Sequence, residues 1–323
     1  MRVLLTGAAG FIGSSVTQAL LARGDQVLGV DNFNTFYDPA IKERNWREAI
    51  AAGGDHRLLR LDIRDPALRS IFADGTTRPD VVCHLAAWAG VRPSIADPLT
   101  YQANNVEGTV HLLELARHHQ VRPFVFASSS SVYGARQKVP FSEDDRVDDP
   151  ISPYAATKKA GELFGYTYHQ LFGTSFTGLR FFTVYGPRQR PEMAIHLFAR
   201  SILDGTPLSL HGDGSSSRDY TFIDDIVRGV VAAIDRTVQV PAYRIYNLGG
   251  SETTSLSELV AHLERTLGNK AVVRRLPDQP GDVPRTYADL TRAKAELGYA
   301  PSTSVEQGLL RFCDWLKARR SSE

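Results

Sequence analysis

Val3-Leu4-Leu5-Thr6-Gly7-Ala8-Ala9-Gly10-Phe11-Ile12-Gly13 stands at the start of the chain. Its short apolar run predicts a strand buried on both faces, as in a parallel sheet. Beyond the glycines, Phe11, Ile12, Val16, Leu20 and Leu21 recur at helical spacing. Strand, glycine-rich joint and helix follow each other directly. Gly7, Gly10 and Gly13 permit a tight turn, close backbone approach to a pyrophosphate, and close packing of helix on strand. The helix amino terminus would offer Phe11 and Ile12 N–H groups and a positive dipole end to phosphates. A bare glycine turn needs no ligand, so a second signal is required. Asp31 supplies it: it closes the second apolar run, Gln26–Val30, 24 residues after Gly7. An acid near that distance suits a ribose hydroxyl pair and would repel a 2′-phosphate, which predicts NAD rather than NADP. No arginine follows; the next residue is Asn32.

Working outward, further apolar runs at Leu58–Leu61, Val81–Leu85, Phe124–Ala127 and Thr177–Phe181 alternate with helical patterns. This rhythm predicts an α/β fold: a Rossmann-like doubly wound parallel sheet with right-handed crossovers. Beyond residue 183 the texture changes, with Gly186-Pro187, Gly205-Thr206-Pro207 and Gly212-Asp213-Gly214 cutting the chain into short pieces. Helices remain legible near 193–203, 225–235, 256–267 and 305–318. We expect residues 1–183 to form the NAD-binding unit, with the chain returning to it around 219–247. Residues 184–323 would form a smaller mixed α/β unit over the carboxyl ends of the strands. Asp62-Ile63, after the third run, is either an adenine contact or a turn acid ahead of Pro66. Leu85, Ala86 and Ala87 complete the candidate cofactor set.

The chain has 323 residues, and 37 Lys+Arg against 36 Asp+Glu leave a net charge of +1. That balance argues against a general nucleic-acid binder. Two cysteines cannot build a disulfide framework. No signal peptide pattern and no run of membrane-spanning length are visible, so a cytoplasmic protein is expected. His118-His119 lacks partner ligands, and no metal site is predicted.

The chemistry concentrates at Tyr154-Ala155-Ala156-Thr157-Lys158. Ser152 can cap a helix that starts at Pro153. Tyr154 and Lys158 then lie four residues apart on one face. A phenol is a poor base at neutral pH, but a neighbouring ammonium and a cationic nicotinamide would lower its pKa. Upstream, Ser128-Ser129-Ser130-Ser131-Val132-Tyr133-Gly134 ends an apolar strand, placing hydroxyls at the carboxyl edge where ligands bind.

These motifs, with the Gly-x-x-Gly-x-x-Gly spacing, resemble the extended short-chain dehydrogenase/reductase family, from about residue 2 to residue 318. The resemblance implies that Ser129 partners Tyr154 at a sugar O4, with Lys158 on the nicotinamide ribose. Dehydratases of that family carry Asp-Glu before Val-Tyr-Gly, whereas here stand Ser130 and Ser131. Simple epimerisation at C4 is therefore expected: oxidise, turn the 4-keto sugar over, reduce.

The later motifs are similar to those of the UDP-glucuronate 4-epimerases. Leu179–Pro187 carries Thr183 where hexose epimerases have Asn, and Arg190-Pro191-Glu192-Met193-Ala194 follows. Ser130, Ser131 and Thr183 would bind a C6 carboxylate and Arg190 would add charge. Arg218 matches a diphosphate-binding arginine, Asp282 is expected near the nucleotide ribose, and Arg92 is a further substrate candidate. Asn105 is expected to brace the active-site strands. The rivals are a UDP-glucose/UDP-galactose 4-epimerase and a non-catalytic NAD-binding regulator. The resemblance also implies a homodimer through helices near 104–119 and 154–172, with Leu163, Phe164, Leu171 and Phe172 on the contact face.

Overall fold

The computed structural model describes residues 1–250, 252–277 and 283–321. Seven strands form one parallel sheet: β1 Arg2–Thr6, β2 Gln26–Val30, β3 His56–Leu59, β4 Val81–His84, β5 Pro123–Ser129, β6 Ser175–Phe181 and β7 Tyr243–Leu248. Their order is β7-β6-β5-β4-β1-β2-β3. The order reverses beside β1, and that switch point is where a doubly wound sheet opens a crevice at its carboxyl edge. β3 begins two residues before the apolar run expected for it, because His56 and Arg57 already pair with Val27 and Leu28, and it ends at Leu59.

Alternation along the strands feeds two apolar layers. Val3, Leu5, Val81, Cys83, Val125 and Leu179 face one side. They meet helix α1 (Phe11–Ala22) through Val16 and Leu20, and α2 (Pro39–Ala49) through Trp46. Leu4, Leu28, Val82, Phe124, Phe126 and Phe176 face the other. They meet α3 (Leu68–Ala73), α4 (Gly108–His118) and α5 (Pro153–Phe172) through Phe72, Leu112 and Tyr168. Ahead of α4, residues Gln102–Glu107 form a π-helical turn, which breaks the periodicity expected for a single helix.

After β6 come α6 (Ala194–Asp204) and α7 (Ile223–Gln239). α8 (Leu256–Leu267), α9 (Thr291–Leu297) and α10 (Val305–Arg320) follow. Ser255 with Glu258, and Ser304 with Gln307, form capping boxes that start α8 and α10. Short strand pairs link this half: Thr183–Tyr185 with Tyr220–Phe222, and Leu208–His211 with Val273–Leu276. Between them the chain returns to the sheet, where α7 leads into β7 along β6. Phe198, Ile202, Leu259, Leu263, Phe312 and Leu316 join the apolar layer that α1 shares. Among the described residues, no helix is long and apolar enough to cross a membrane.

Candidate active site

A cleft of about 470 Å³ runs along the carboxyl edge of the sheet at the switch point. Its floor is the turn between β1 and α1. Gly7 has φ +70, and a Cβ on Gly13 would collide with the Gly7 carbonyl. Only glycines therefore let α1 pack this closely on the turn. Gly10 offers α1 no side-chain cap, and Phe11, Ile12 and Gly13 line the cleft. First-turn N–H groups have no intrahelical acceptor, so they suit an anion. These features fit a dinucleotide.

Asp31 is buried at the end of β2. It accepts from Ala9 N at 3.2 Å, Phe33 N at 2.9 Å and Lys42 Nζ at 3.2 Å. Lys42 is the main residue missed in the sequence. It sits with Trp46 and Ala49 on the buried face of α2, and a lone cation at that spacing was the available signal. Asn32 lines the cleft and donates to Asp62 at 3.0 Å. Ile63 lines the cleft, but the Asp62 side chain does not. Asp62 accepts from the Arg64 backbone N–H and guanidinium, which hold its pKa at about 2. The turn-acid alternative is thus realised geometrically. Leu85, Ala86 and Ala87 form the opposite wall.

Deeper in the cleft are Ser129, Tyr154 and Lys158. Ser152 caps α5 by accepting from Ala155 N at 3.1 Å, with Pro153 at the first position. Tyr154 N–H donates to the Ser94 hydroxyl at 3.1 Å. Lys158 Nζ donates to the Ala127 carbonyl at 2.7 Å and lies 5.9 Å from the Tyr154 ring centroid. Burial pulls the Lys158 pKa down to about 7. Burial raises that of Tyr154, while a hydrogen bond with the Ser129 hydroxyl and the charge of Arg190 act in the opposite direction. Beneath Lys158, His84 bridges Thr6 Oγ1 at 2.7 Å and Thr109 Oγ1 at 3.0 Å. Burial and the Lys158 charge lower the His84 pKa to about 3, keeping it neutral. Asn105 does not brace the strands. It holds the Trp88 backbone N–H at 2.8 Å and C=O at 2.9 Å, and donates to Thr157 Oγ1 at 3.1 Å. It thereby ties the loop after β4 to α5.

A second cavity of about 150 Å³ adjoins the first and shares Val91, Ser130, Ser131 and Thr183 with it. Arg218, Thr286 and Val283 form its far side. Arg190 lines the larger cleft and pairs with Glu192 at 3.1 Å. Buried Asp219 anchors this far wall: it accepts from Gly250 N at 2.5 Å and Ala288 N at 3.1 Å. Burial raises its pKa to about 6. Arg92 is exposed and lines neither cavity, because the short helix Val91–Ala96 turns Val91 and Ser94 inward instead. Asp282 lies outside the described residues.

Residues 3–249 match the model of the NAD dependent epimerase/dehydratase family. The chain belongs to that family. It is 44% identical over 317 residues to a UDP-glucuronate 4-epimerase of Thermodesulfobacterium geofontis, covering 97% of this chain and 95% of the relative. Its fold matches the UDP-glucuronic acid 4-epimerase of Bacillus cereus, solved with UDP-glucuronic acid and NAD. The TM-score is 0.91 and the identity 38%, over 99% of this chain and all of the other. A UDP-glucose 4-epimerase of Thermotoga maritima, solved with UDP-glucose, matches with a TM-score of 0.89 and 31% identity, over 100% of both chains. The cofactor of this family member is NAD, and the enzyme is an isomerase of the extended short-chain dehydrogenase/reductase type.

Proposed function

We propose that the protein interconverts UDP-glucuronate and UDP-galacturonate by inverting C4 of the sugar. One observation carries the choice of substrate. From Tyr154 outward, the sugar end of the two cavities is walled by Ser129, Ser130, Ser131 and Thr183, with Arg190 and Arg218 nearby. Among the described lining residues, the single acid is Asp31 at the ribose end. Hydroxyl donors and arginines suit a C6 carboxylate and a diphosphate. Elimination chemistry needs acids beside the sugar, and none lines this wall.

Gly7, Gly10, Phe11, Ile12 and Gly13 would cradle the NAD pyrophosphate, Asp31 with Lys42 the adenosine ribose, and Lys158 the nicotinamide ribose. When bound, NAD accepts hydride from C4 and later returns it to the opposite face. Tyr154 removes the O4 proton as the 4-keto sugar forms and gives it back on reduction. Ser129 orients O4 through its hydroxyl bond to Tyr154. The 4-keto uronate is a β-keto acid, and it loses CO2 only when the C5–C6 bond aligns with the carbonyl π system. Ser130, Ser131 and Thr183 pin the carboxylate out of that alignment. In this reading residues 1–183, with the return around 219–247, hold NAD, and 184–323 complete the sugar-nucleotide site.

Two further assignments belong to the same proposal. The protein works as a homodimer through α4 and α5, and α5 leaves Leu163, Phe164, Tyr166, Leu171 and Phe172 on the surface. It works in the cytoplasm, where the free buried Cys83 and Cys313 suit a reducing compartment.

Incubation with UDP-glucuronate and, separately, UDP-glucose, with no NAD added, tests the substrate by proton NMR. UDP-galacturonate from the first alone is the expected product. UDP-galactose from the second alone would move the assignment to the neutral hexoses, and a UDP-pentose would refute the protected intermediate.

A further inference from the structure

β4 and β2 flank β1 in the sheet, so the segments that follow them stand on either side of the glycine turn. Phe36 lies six residues beyond β2 and Trp88 four residues beyond β4. Their rings meet edge to face, with centroids 5.3 Å apart and planes at 77°. The contact therefore spans the turn on which a pyrophosphate would sit. Arg190 adds a third member from the Gly186–Met193 segment. Its guanidinium lies 5.5 Å from the Phe36 centroid, and Glu192 holds it. All three side chains line the cleft.

The two sides of this bridge are anchored differently. Asn105 holds both backbone groups of Trp88, and the indole rests against Tyr101, with centroids 6.2 Å apart. Tyr101 in turn donates to the Ala89 carbonyl at 2.7 Å and meets the Tyr154 ring at 6.2 Å. Trp88 is thus a fixed post continuous with the catalytic helix. The Phe36 side is held mainly by short turns: Asn34 N donates to Asn32 Oδ1 and Phe36 N to Asn34 Oδ1, each at 3.2 Å, with Lys42 Nζ also donating to Asn34 Oδ1 at 3.2 Å. Phe33 in the same stretch has φ +49. Turn bonds of this kind open at lower cost than a packed helix.

We propose that Phe36, Trp88 and Arg190 form a gate over the cofactor. The rings must part for the dinucleotide to enter or leave, and Trp88 is the post against which the Phe36 segment closes. The inference rests on the reading of the glycine turn as the NAD seat. It adds retention: a reaction with no net oxidation regenerates its cofactor in place, so slow exchange costs nothing in turnover.

The test is exchange. The purified protein, carrying NAD, is mixed with excess isotope-labelled NAD, and the unlabelled cofactor still bound is followed by mass spectrometry. Trp88→Ala and Phe36→Ala should each exchange about tenfold faster than wild type, the scale of one lost aromatic contact. The double variant should exchange no faster than the faster single one, because both remove the same contact. Trp88→Phe should restore slow exchange. Wild-type rates in both single variants, or a double variant whose acceleration is the product of the two, would overturn the gate. Should Trp88→Ala not fold, Phe36→Ala decides the matter by the same criterion. Wild-type protein that neither carries nor takes up NAD would overturn the seat itself, a result distinct from failure of the gate.

Discussion

Lys158 is 3% exposed, and among the described residues no carboxylate meets it to offset the loss of water; its ammonium rests on the Ala127 carbonyl. Burial accordingly brings its pKa from 10.5 down to about 7. Below pH 7 both folded and unfolded chains carry the proton, so the folded state bears the full cost of the buried charge. Between pH 7 and 10.5 the folded protein sheds the proton while the unfolded chain keeps it, and stability rises. Lys158→Met removes this dependence. In NAD-free protein, the melting temperature of the variant should gain on wild type as pH falls from 10 to 7. Parallel profiles would contradict the placement. The same burial raises the pKa of Tyr154, so the phenol depends on Ser129, Arg190 and the bound cofactor to act as a base. Tyr154 and Lys158 were legible in the sequence because a capped helix fixes residues four apart on one face. Lys42 was not, because a lone cation on the apolar face of α2 marks a buried charge without naming its partner, and Asp31 meets it only when α2 packs against β2. Arg92 misled for the converse reason: its neighbours Val91 and Ser94 take the inward face of a single short turn.

Among the elements, the loop after β4 and the start of α5 are set by a buried amide. Asn105 sits in the π-helical turn, and its side chain makes three hydrogen bonds, two to the Trp88 backbone and one to Thr157. Asn105→Ala leaves the Trp88 N–H and C=O without those partners. It should lower stability by about 2 kcal/mol in urea unfolding, the cost of stranded buried polar groups. A loss below about 0.5 kcal/mol would mean that water takes over. The strands were legible to within two residues because buried parallel strands are short apolar runs between helical patterns. The π-helical turn was hidden because one extra residue per turn shifts the apolar spacing without removing it. β7 was expected only as a return of the chain near 219–247, since its sequence, Tyr-Arg-Ile-Tyr-Asn-Leu, is not uniformly apolar.

Across the whole molecule, a buried polar network joins α5 and the sheet to the segments around Phe141 and Asp289. Glu162, a turn beyond Lys158 on α5, accepts from Arg180 Nε at 2.8 Å and Ser128 Oγ at 2.6 Å. Arg180 donates to the Tyr133 hydroxyl at 2.9 Å, which donates to Asn247 Oδ1 on β7 at 2.8 Å. Asn247 then donates to the Phe141 and Asp289 carbonyls. A charge removed from such a pair leaves its partner buried and uncompensated. Glu162→Gln should cost roughly 3 kcal/mol of unfolding free energy, and the further change Arg180→Met should recover part of it. A single variant as stable as wild type would show that the pair is dispensable. Ser128, Tyr133 and Arg180 stand in motifs, but their partners Glu162 and Asn247 stand in none and lie far away in sequence, which is why the sequence announced the site and not the brace that carries it.

In the proposed reaction C4 is oxidised and reduced within one site by a retained cofactor. Turnover of UDP-glucuronate carrying deuterium at C4 is the decisive measurement. The expected product is UDP-galacturonate with deuterium still at C4 and no solvent hydrogen at C4 or C5. Loss of the label to solvent would contradict the proposed reaction.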